Sequence, residues 1–354
     1  MKSFGKISRA AALILAASIS LTACSGSVSE PGASGSQSSR SGQTPQSTKQ
    51  YKYGKINIPG KNGSLCAAPI YIAYDKGYLA DEGFDATLVS ADTEARKIGL
   101  NNGSIPVING DFQYFPSIEQ GVKIKVVGGL HFGCITIVVP GNSTIKSAED
   151  LKGKKIAVDE IGGTPFEAAS VWLENHGIVA QNNKDVTFVP YSDGNLEIEA
   201  AQKGEVDAAA LWDPFGAQAV EDKGFRKIFD LSTDPIFADK YCCFLYASEK
   251  VLNEKPDEVA AILRAYQKAQ DWIHSNPEEA VNIIADKKYA NLTDKKQAVE
   301  LVKSYQYPSL QQQDPDTVKN NVLYFAQQLS KIGYLQTKDP DKFTKQAYQY
   351  VKTS

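Results

Sequence analysis

Four cysteines and one histidine carry the most reactive side chains of this 354-residue sequence, and they come from three separated segments. They are Cys66, His131, Cys134, Cys242 and Cys243. Thiolate and imidazole groups are the ligands that zinc, copper(I) and iron–sulfur centres prefer. The spacing differs from that of a zinc finger, so a site would have to assemble from distant segments. We therefore expect a soft metal ion or a metal-bearing cofactor as a ligand, while no resident cofactor is required.

Disulfide bonding and simple burial are the two alternatives for these cysteines. Exported proteins oxidise their thiols, so Cys66 could pair with Cys134, and Cys242 with Cys243 in a rare, strained bond of oxidising potential. Free cysteines are also often buried as small hydrophobic side chains. If the segment around residue 242 is extended, adjacent side chains point to opposite faces, and at most one of Cys242 and Cys243 faces a given cleft.

The segment "IGGTPF" offers a different kind of contact. Its pattern predicts a helix with Thr164 as the N-cap, Pro165 as the first helical residue and Glu167 completing a T-x-x-E capping box. Free backbone N–H groups at the positive end of a helix suit an anion or a polar ligand group. Gly163 and Thr164 are therefore candidate contacts, and a tight strand-to-helix turn is the alternative.

Polar and aromatic side chains also follow two predicted strands. The segment "LWDPF" places Trp212 and Asp213 at a strand end, and "NGDFQYF" places Asp111 and Phe112 at another. Open α/β sheets collect ligands at the carboxyl ends of their strands, so these four residues are candidate ligand contacts. Trp212 could equally belong to the core, and Asp213 could start a turn before Pro214.

The N-terminal segment predicts export. A basic start is followed by an apolar run that is too short to span a bilayer, which is typical of a signal peptide. The run ends in "LTAC", which resembles the cleavage box of bacterial lipoproteins, so residues 1–23 would be removed and Cys24 would carry the lipid. Residues 24–50, rich in Ser and Gly, are expected to form a flexible tether. An ordinary cleavage site with an incidental cysteine is the alternative.

Composition excludes some function classes. Loss of residues 1–23 removes three basic residues and no acidic one, so the net charge moves from -3 to -6. A mildly acidic exported chain gives no support for nucleic-acid binding. No second apolar run is long enough to cross a membrane. About 300 residues remain, which exceeds the usual size of a single core and favours two lobes.

Short apolar runs alternate with helical patterns from residue 53 to about residue 215, which indicates parallel α/β layers. The last third shows amphipathic helical spacing and no strand pattern. Four segments in this order resemble a known family: "PIYIAYDKGYLADEGFDATLV", "GDFQYFPSIEQGVKIKVVGGL", "SAEDLKGKKIAV" and "GEVDAAALWDPF". The chain resembles the substrate-binding proteins of bacterial ABC importers, in the nitrate, sulfonate and taurine group that also contains binders of thiamine pyrimidines.

That resemblance implies a two-lobed periplasmic-binding-protein fold of type II, which closes on its ligand. Lobe one would comprise residues 53–138 and 241–354, with the C-terminal helices wrapped onto it, and lobe two residues 139–240. Hinges would lie near "TIVVPG" and "ADKYCC". The resemblance also implies a lipid-anchored, extracytoplasmic, monomeric binding protein and no enzyme, with a small-molecule ligand and an ABC permease and its ATPase as partners.

On this fold all four body cysteines and His131 would lie at or near the mouth between the lobes. Members of the family usually have small polar residues there, and the departure argues against plain sulfonate or nitrate as the ligand. One alternative is an organic anion or a pyrimidine-type vitamin precursor, with the cysteines in disulfides. Another is an enzyme similar to the thiamine-pyrimidine synthases, whose cysteine-rich loop binds iron, but "YCCF" is shorter and differently placed.

Overall fold

Strands and helices alternate through the first two thirds of the folded body, and only helices follow in the part of the chain described. A computed structural model describes residues 50–60, 63–307 and 314–353, all within one compact unit. Its strands are β1 (Gly54–Pro59), β2 (Phe84–Val89), β3 (Val107–Asp111), β4 (Ile124–Phe132), β5 (Ile135–Pro140), β6 (Lys155–Val158), β7 (Thr187–Pro190), β8 (Ala208–Trp212), β9 (Phe225–Asp230) and β10 (Tyr241–Ser248). The predicted signal peptide, the lipidation site Cys24 and the tether up to residue 49 lie outside the described residues.

The helices complete the body. They are α1 (Ala68–Asp75), α2 (Tyr78–Asp81), α3 (Thr93–Asn102), α4 (Phe115–Glu119), α5 (Thr164–Asn175), α6 (Gly194–Gln202), α7 (Phe215–Lys223), α8 (Glu249–Glu254), α9 (Pro256–Ser275), α10 (Pro277–Asp286), α11 (Lys295–Ser304), α12 (Pro315–Lys331) and α13 (Pro340–Ala347). Within the described ranges, none of them combines the length and the apolar character that crossing a bilayer requires.

Two larger sheets and a strand pair organise these elements. The first sheet has the order β3–β10–β4 and is antiparallel, and the second has the order β7–β6–β8–β5–β9. Strands β1 and β2 form a separate parallel pair. In the second sheet β6 is parallel to β7 and β8, whereas β5 is antiparallel to β8 and β9. The first sheet is therefore antiparallel and the second mixed, whereas the alternation alone predicts parallel sheets.

The strand directions have a simple physical cause. Strands β3 and β8 end at Asp111 and Trp212, which face the gap between the two sheets. The chain passes from the first sheet to the second at residues 133–134 and returns through residues 231–240. Strands β5 and β10 thus start at the gap where their neighbours end, and they must run the opposite way.

The segments predicted as hinges are largely strand. Residues 136–140 of "TIVVPG" belong to β5, whose residues Ile135–Val139 are all buried, so the crossing precedes the predicted boundary after residue 138. Strand β10 begins at Tyr241 and is buried along its whole length. An apolar run that is buried on both faces lacks the alternation that marks a strand in the sequence, which explains why the sequence does not distinguish β5 and β10 from crossings.

The C-terminal helices pack mainly on the elements around the first sheet. Helix α9 has a buried stripe that includes Val259, Ile262 and Tyr266, and it packs on α1 and α2. Helices α12 and α13 pack on β4, and α12 also touches α5, which belongs to the second sheet's side. The ring of Phe325 in α12 stacks on Phe112 with 4.3 Å between centroids. This packing fixes the first sheet from behind and leaves its strand ends at the gap.

Candidate functional site

A cavity of about 590 Å³ lies at the strand ends between the two sheets. Both sheets contribute to it, because residues at the end of β3 and the start of β10 face residues at the end of β8 and the start of α5. Six of the residues predicted from the sequence line this cavity: Cys66, Asp111, Cys134, Thr164, Trp212 and Cys243. A volume of this size suits a small organic molecule.

Five predicted residues do not line the cavity. Phe112 is fully buried in the core, because its ring stacks on Phe325. Asp213 is buried behind the wall, where its carboxyl accepts a hydrogen bond of 3.2 Å from the hydroxyl of Tyr305. Gly163 precedes helix α5 without facing the space. The remaining two, His131 and Cys242, are fully buried directly behind the cysteines of the wall.

Three thiols and an imidazole meet at the first-sheet side of the cavity. The sulfur atoms of Cys66, Cys134 and Cys243 and a ring nitrogen of His131 all lie within 4.8 Å of one another, and all four residues are buried. Strand register creates the contact, because Cys243 in β10 pairs with His131 in β4 on one side and Asp111 in β3 on the other. Of the two adjacent cysteines, Cys243 therefore faces the site.

The imidazole of His131 is oriented for an acceptor role. Its Nδ1 lies 3.1 Å from the carbonyl oxygen of Phe132, and a carbonyl only accepts, so Nδ1 carries the proton. In the neutral ring the buried Nε2 is then the lone-pair nitrogen, and it has no hydrogen-bond partner. Burial acts to lower the pKa of His131, but the nearby sulfur atoms of Cys243 and Cys66 outweigh it and raise the pKa well above its usual value, so a proton also binds Nε2 unless a metal ion displaces it.

Cys134 sits in the two-residue link between the sheets in an unusual backbone conformation. Its φ is 99°, a left-handed value that costs a non-glycine residue of order 1–3 kcal/mol. Its sulfur lies 2.7 Å from that of Cys242, while all four cysteines of the described residues remain free thiols. Burial raises the pKa of the Cys134 thiol well above its usual value. The structure therefore contains neither disulfide that the sequence left open.

The start of helix α5 differs from the predicted capping box. Gly163 is the N-cap and Thr164 the first helical residue, because the backbone is still extended at Gly163. The hydroxyl of Thr164 consequently faces the cavity instead of capping the helix, and it is buried without a hydrogen-bond partner. Glu167 is fully buried with both carboxyl oxygens unpaired, and burial raises its pKa well above the usual value.

Carboxyl groups dominate the electrostatics of the cavity. Its wall includes Asp92, Asp111, Asp159, Glu160 and Asp193. Burial raises the pKa of Asp111 to about 6, against the opposing effect of the Thr164 hydroxyl nearby, and burial likewise raises the pKa of Asp159 to about 6. Behind the wall, burial raises the pKa of Asp213 to about 8. At pH 7 Asp111 and Asp159 are still mostly ionised, so the wall keeps a negative character, whereas Asp213 behind it is mostly protonated.

Arg96 and Asn109 are wall residues that the sequence patterns did not single out. Arg96 is the one cation among the described residues that line the cavity, and it is almost fully buried. Its Nε donates to the carbonyl of Ala91 at 3.2 Å, whereas its Nη2 has no partner. Asn109 Oδ1 is also unpaired. A signal existed for Arg96, because it shares the inner face of α3 with Gly99 and Leu100 at helical spacing.

Comparison with known proteins finds a likeness to bacterial binding proteins. A family model described as NMT1/THI5 like matches residues 66–280. A Bacillus subtilis protein named for binding aliphatic sulfonates is 27% identical over 62% of this chain and 66% of its own length. A nitrate/nitrite binding protein of a Nostoc strain is 25% identical over 73% of this chain and 66% of its own length. The chain thus spans about two thirds of the length of these curated relatives.

A solved structure shows the same fold. The alkanesulfonate-binding protein of Xanthomonas axonopodis pv. citri, solved with bound MOPS, aligns with a TM-score of 0.66 and 18% identity over 79% of this chain and 94% of its own. The predicted periplasmic-binding-protein fold is confirmed by this likeness. The curated relatives bear the names of binding proteins and not of enzymes.

The buried acid Glu197 generates a pH-dependent stability prediction. Burial, with Asp159 and Asp193 nearby, raises its pKa from 4.5 to about 9. The folded state therefore retains a proton that the unfolded chain has lost, and stability should fall as the pH rises from about 4.5 to about 9. Replacing Glu197 by Gln removes this titration. The free energy of unfolding of the variant, relative to that of the wild type, should therefore rise by about 1 kcal/mol per pH unit between pH 5 and 8. Urea unfolding at several pH values measures the difference.

Glu199→Gln is the matched control on the same helix. Glu199 is exposed and pairs with Lys203 at 2.6 Å, so this variant should follow the wild-type pH profile with at most a small offset. A Glu197→Gln advantage that stays constant across this pH range would contradict the assigned pKa.

Proposed function

This chain belongs to the NMT1/THI5-like family, and we propose that it is the extracytoplasmic solute-binding component of an ABC importer. It captures a small ligand between two lobes and delivers it to a membrane permease that is driven by an ATPase. The chain performs no chemistry on the ligand. The names of its relatives and the periplasmic-binding-protein fold support this function.

One observation carries the proposal: the cavity wall holds buried polar atoms that the protein itself leaves unpaired. These atoms are Arg96 Nη2, Asn109 Oδ1, Asp111 Oδ1 and Thr164 Oγ1, of which the Thr164 hydroxyl lies close enough to Asp111 to lower the pKa of that carboxyl. A buried polar group without a hydrogen bond costs about 1–3 kcal/mol, and native proteins keep such groups rare. Four of them around one cavity are explained by a polar ligand that completes their hydrogen bonds.

The position of these atoms also explains how a ligand would close the cleft. Arg96, Asn109 and Asp111 belong to elements around the first sheet, whereas Thr164 begins α5 beside the second. A ligand that bonds both groups is bound more strongly when the lobes are together, so it shifts the population toward the closed form. The short crossing at residues 133–134 is the natural hinge, and the Cys134 carbonyl there accepts the backbone N–H of Asp213 at 3.0 Å.

The size of the cavity limits the ligand. About 590 Å³ is far more than a bare metal ion or a nitrate ion fills. The five carboxyl groups of the wall, against one guanidinium, favour a ligand that is cationic or rich in hydrogen-bond donors. A compound of small organic size, with a polar surface and without a dominant negative charge, fits these constraints best.

A second candidate ligand is an organic anion such as a sulfonate. The observation that favours it is Arg96, whose buried Nη2 is unpaired at the cavity wall and could donate to an anionic oxygen. The names of the Bacillus and Xanthomonas relatives mention sulfonates. Arg96 would then anchor the anionic end of a ligand whose remainder contacts the carboxyl groups.

Membrane attachment completes the proposal. The "LTAC" segment and the Ser/Gly-rich stretch after it support a lipid on Cys24 and a tether that holds the binding domain close to the permease. Two-dimensional confinement of this kind raises the effective concentration of the binding protein at its partner.

Filling the cavity should abolish ligand capture. In Thr164→Trp, a large side chain replaces a hydroxyl of the wall, so the ligand that copurifies with the full chain from its own host should be lost. Native mass spectrometry, compared with the denatured mass, measures the bound ligand. Lys203→Trp adds the same ring at an exposed position and should keep the ligand. Retention of the ligand by a folded Thr164→Trp variant, judged by circular dichroism, would refute capture in this cavity.

The organic-anion candidate makes a separate prediction. If an anion binds Nη2, Arg96→Gln should weaken the binding of ethanesulfonate by about tenfold or more, because a charge-assisted hydrogen bond is lost. Isothermal titration calorimetry with ethanesulfonate and nitrate gives the affinities. Lys97→Gln is the neighbouring control, since Lys97 pairs with Glu94 on the outer face at 2.8 Å. Equal affinities of the two variants, or no binding by the wild type, would remove this candidate.

Lipid anchoring is tested at Cys24. The wild-type chain expressed in a bacterium should enter the detergent-rich phase in a Triton X-114 partition, because a diacylglyceryl group adds about 0.8 kcal/mol of membrane affinity per CH₂. Cys24→Ser should move to the aqueous phase, while Ser25→Ala should behave as the wild type. A Cys24→Ser protein that still partitions with detergent would exclude this cysteine as the anchor.

A further inference from the structure

We propose that Cys66, His131, Cys134 and Cys243 form a coordination site for a thiophilic metal ion at the wall of the ligand cavity. This inference rests on the proposed solute-binding function and deepens it, because it names a metal centre as the part of the transported solute that the first lobe recognises. Three thiolates and one imidazole are a ligand set that zinc(II) takes in proteins.

The distances suit such a centre. Four ligands arranged tetrahedrally at about 2.3 Å for sulfur and about 2.0 Å for nitrogen lie less than about 4 Å apart. The four donor atoms already lie within 4.8 Å of one another. Side-chain shifts of about 1 Å or less would therefore close the shell around an ion. The donors come from the loop after β1, the end of β4, the crossing link and the start of β10, so no zinc-finger spacing is needed.

The ring of His131 is oriented by a backbone hydrogen bond, as the rings of metal-ligating histidines usually are. Its Nδ1–H points to the carbonyl of Phe132, which fixes the tautomer and leaves the Nε2 lone pair for an ion. The ring stacks on Tyr305 with 4.6 Å between centroids and meets Tyr307 edge-on at 6.0 Å. A buried Nε2 without any partner is a cost to the folded protein, and an ion would supply the missing partner.

Simple burial does not account for the cluster. Cysteines that act as small hydrophobes pack among apolar side chains, but these three sulfur atoms surround an unpaired imidazole nitrogen and reach the cavity surface. Cys134 also adopts a strained left-handed backbone, and such strain persists at functional sites. The carboxyl group of Asp111 at the wall adds negative potential that favours a divalent cation over an anion.

Cys242 lies outside the ligand set although it neighbours Cys243 in sequence. Its sulfur contacts that of Cys134 at 2.7 Å but does not join the group of mutually close donors. The chain thus offers an internal control, because Cys242 is as buried as the proposed ligands and carries the same thiol. A substitution there tests for unspecific loss of a buried cysteine.

The test uses the full chain, purified, reduced and freed of bound solute, with cobalt(II) and zinc(II) as the probes. We expect one cobalt per chain, with the intense visible bands and sulfur-to-cobalt charge-transfer absorption of tetrahedral thiolate coordination, and displacement by zinc. X-ray absorption of the zinc complex should show three sulfur and one nitrogen neighbour at about 2.3 and 2.0 Å. Cys66→Ser, Cys134→Ser, Cys243→Ser and His131→Gln should each lower the cobalt affinity by about 100-fold or more, while Cys242→Ser should change it less than about tenfold.

The outcomes separate this proposal from the solute-binding function. The proposal is overturned if the reduced wild type binds neither metal, if zinc has an oxygen-dominated shell, or if Cys242→Ser loses affinity as strongly as the four ligand variants. An iron–sulfur chromophore that needs the same four residues would support the ligand set with another metal. Absence of metal binding together with a copurified solute that Thr164→Trp removes would leave the solute-binding function intact.

Discussion

The placement of strand termini from both larger sheets at one gap is the constraint on which the rest of the structure depends. Residues that follow a strand ending at the gap lie in the gap. The first residues of β5 and β10, the two strands that start there, lie in it as well. Strand β10, inserted between β3 and β4, brings Cys243 between Asp111 and His131. The thiol cluster, the carboxyl wall and the crossing link all follow from this arrangement of the two sheets. Loss of the β10 register would disperse the site, even with every side chain unchanged.

The chemistry of the site is dominated by desolvation. Burial raises the pKa of Asp111, Asp159, Asp213 and Glu167, and it leaves Arg96 Nη2 and His131 Nε2 without partners. Unpaired buried groups destabilise the free protein, and a ligand can offset this cost for those at the cavity wall, such as Arg96. Unpaired polar groups around a cavity are typical of a binding site that is formed before its ligand arrives. In a structural core the same groups would be hydrogen-bonded within the protein.

The sequence predicted the fold, which the structural likeness confirms, and it placed six residues of the cavity wall by their position at strand and helix ends. Residue positions that depend on tertiary packing were harder to predict from the sequence. The alternation of faces after β3 sends Asp111 to the cavity and Phe112 to Phe325 in α12, a partner more than two hundred residues away. The capping pattern favours Thr164 as the N-cap, because nothing local reveals the extended backbone at Gly163. Arg96 and Asn109 escaped prediction because their role depends on which side of α3 and β3 meets the gap.

Cys134 lies both in a crossing between the sheets and at the cavity wall. It is one of the two residues in the first of the two crossings between the sheets, and its sulfur faces the cavity. A rotation of one sheet against the other about the backbone of residues 133–134 would therefore turn this sulfur relative to Cys66 and Cys243. If Cys134 binds the solute as proposed, the affinity for that solute and the angle between the lobes are linked quantities. A permease that pries the lobes apart would, by the same geometry, pull one donor away from the cargo and so promote its release.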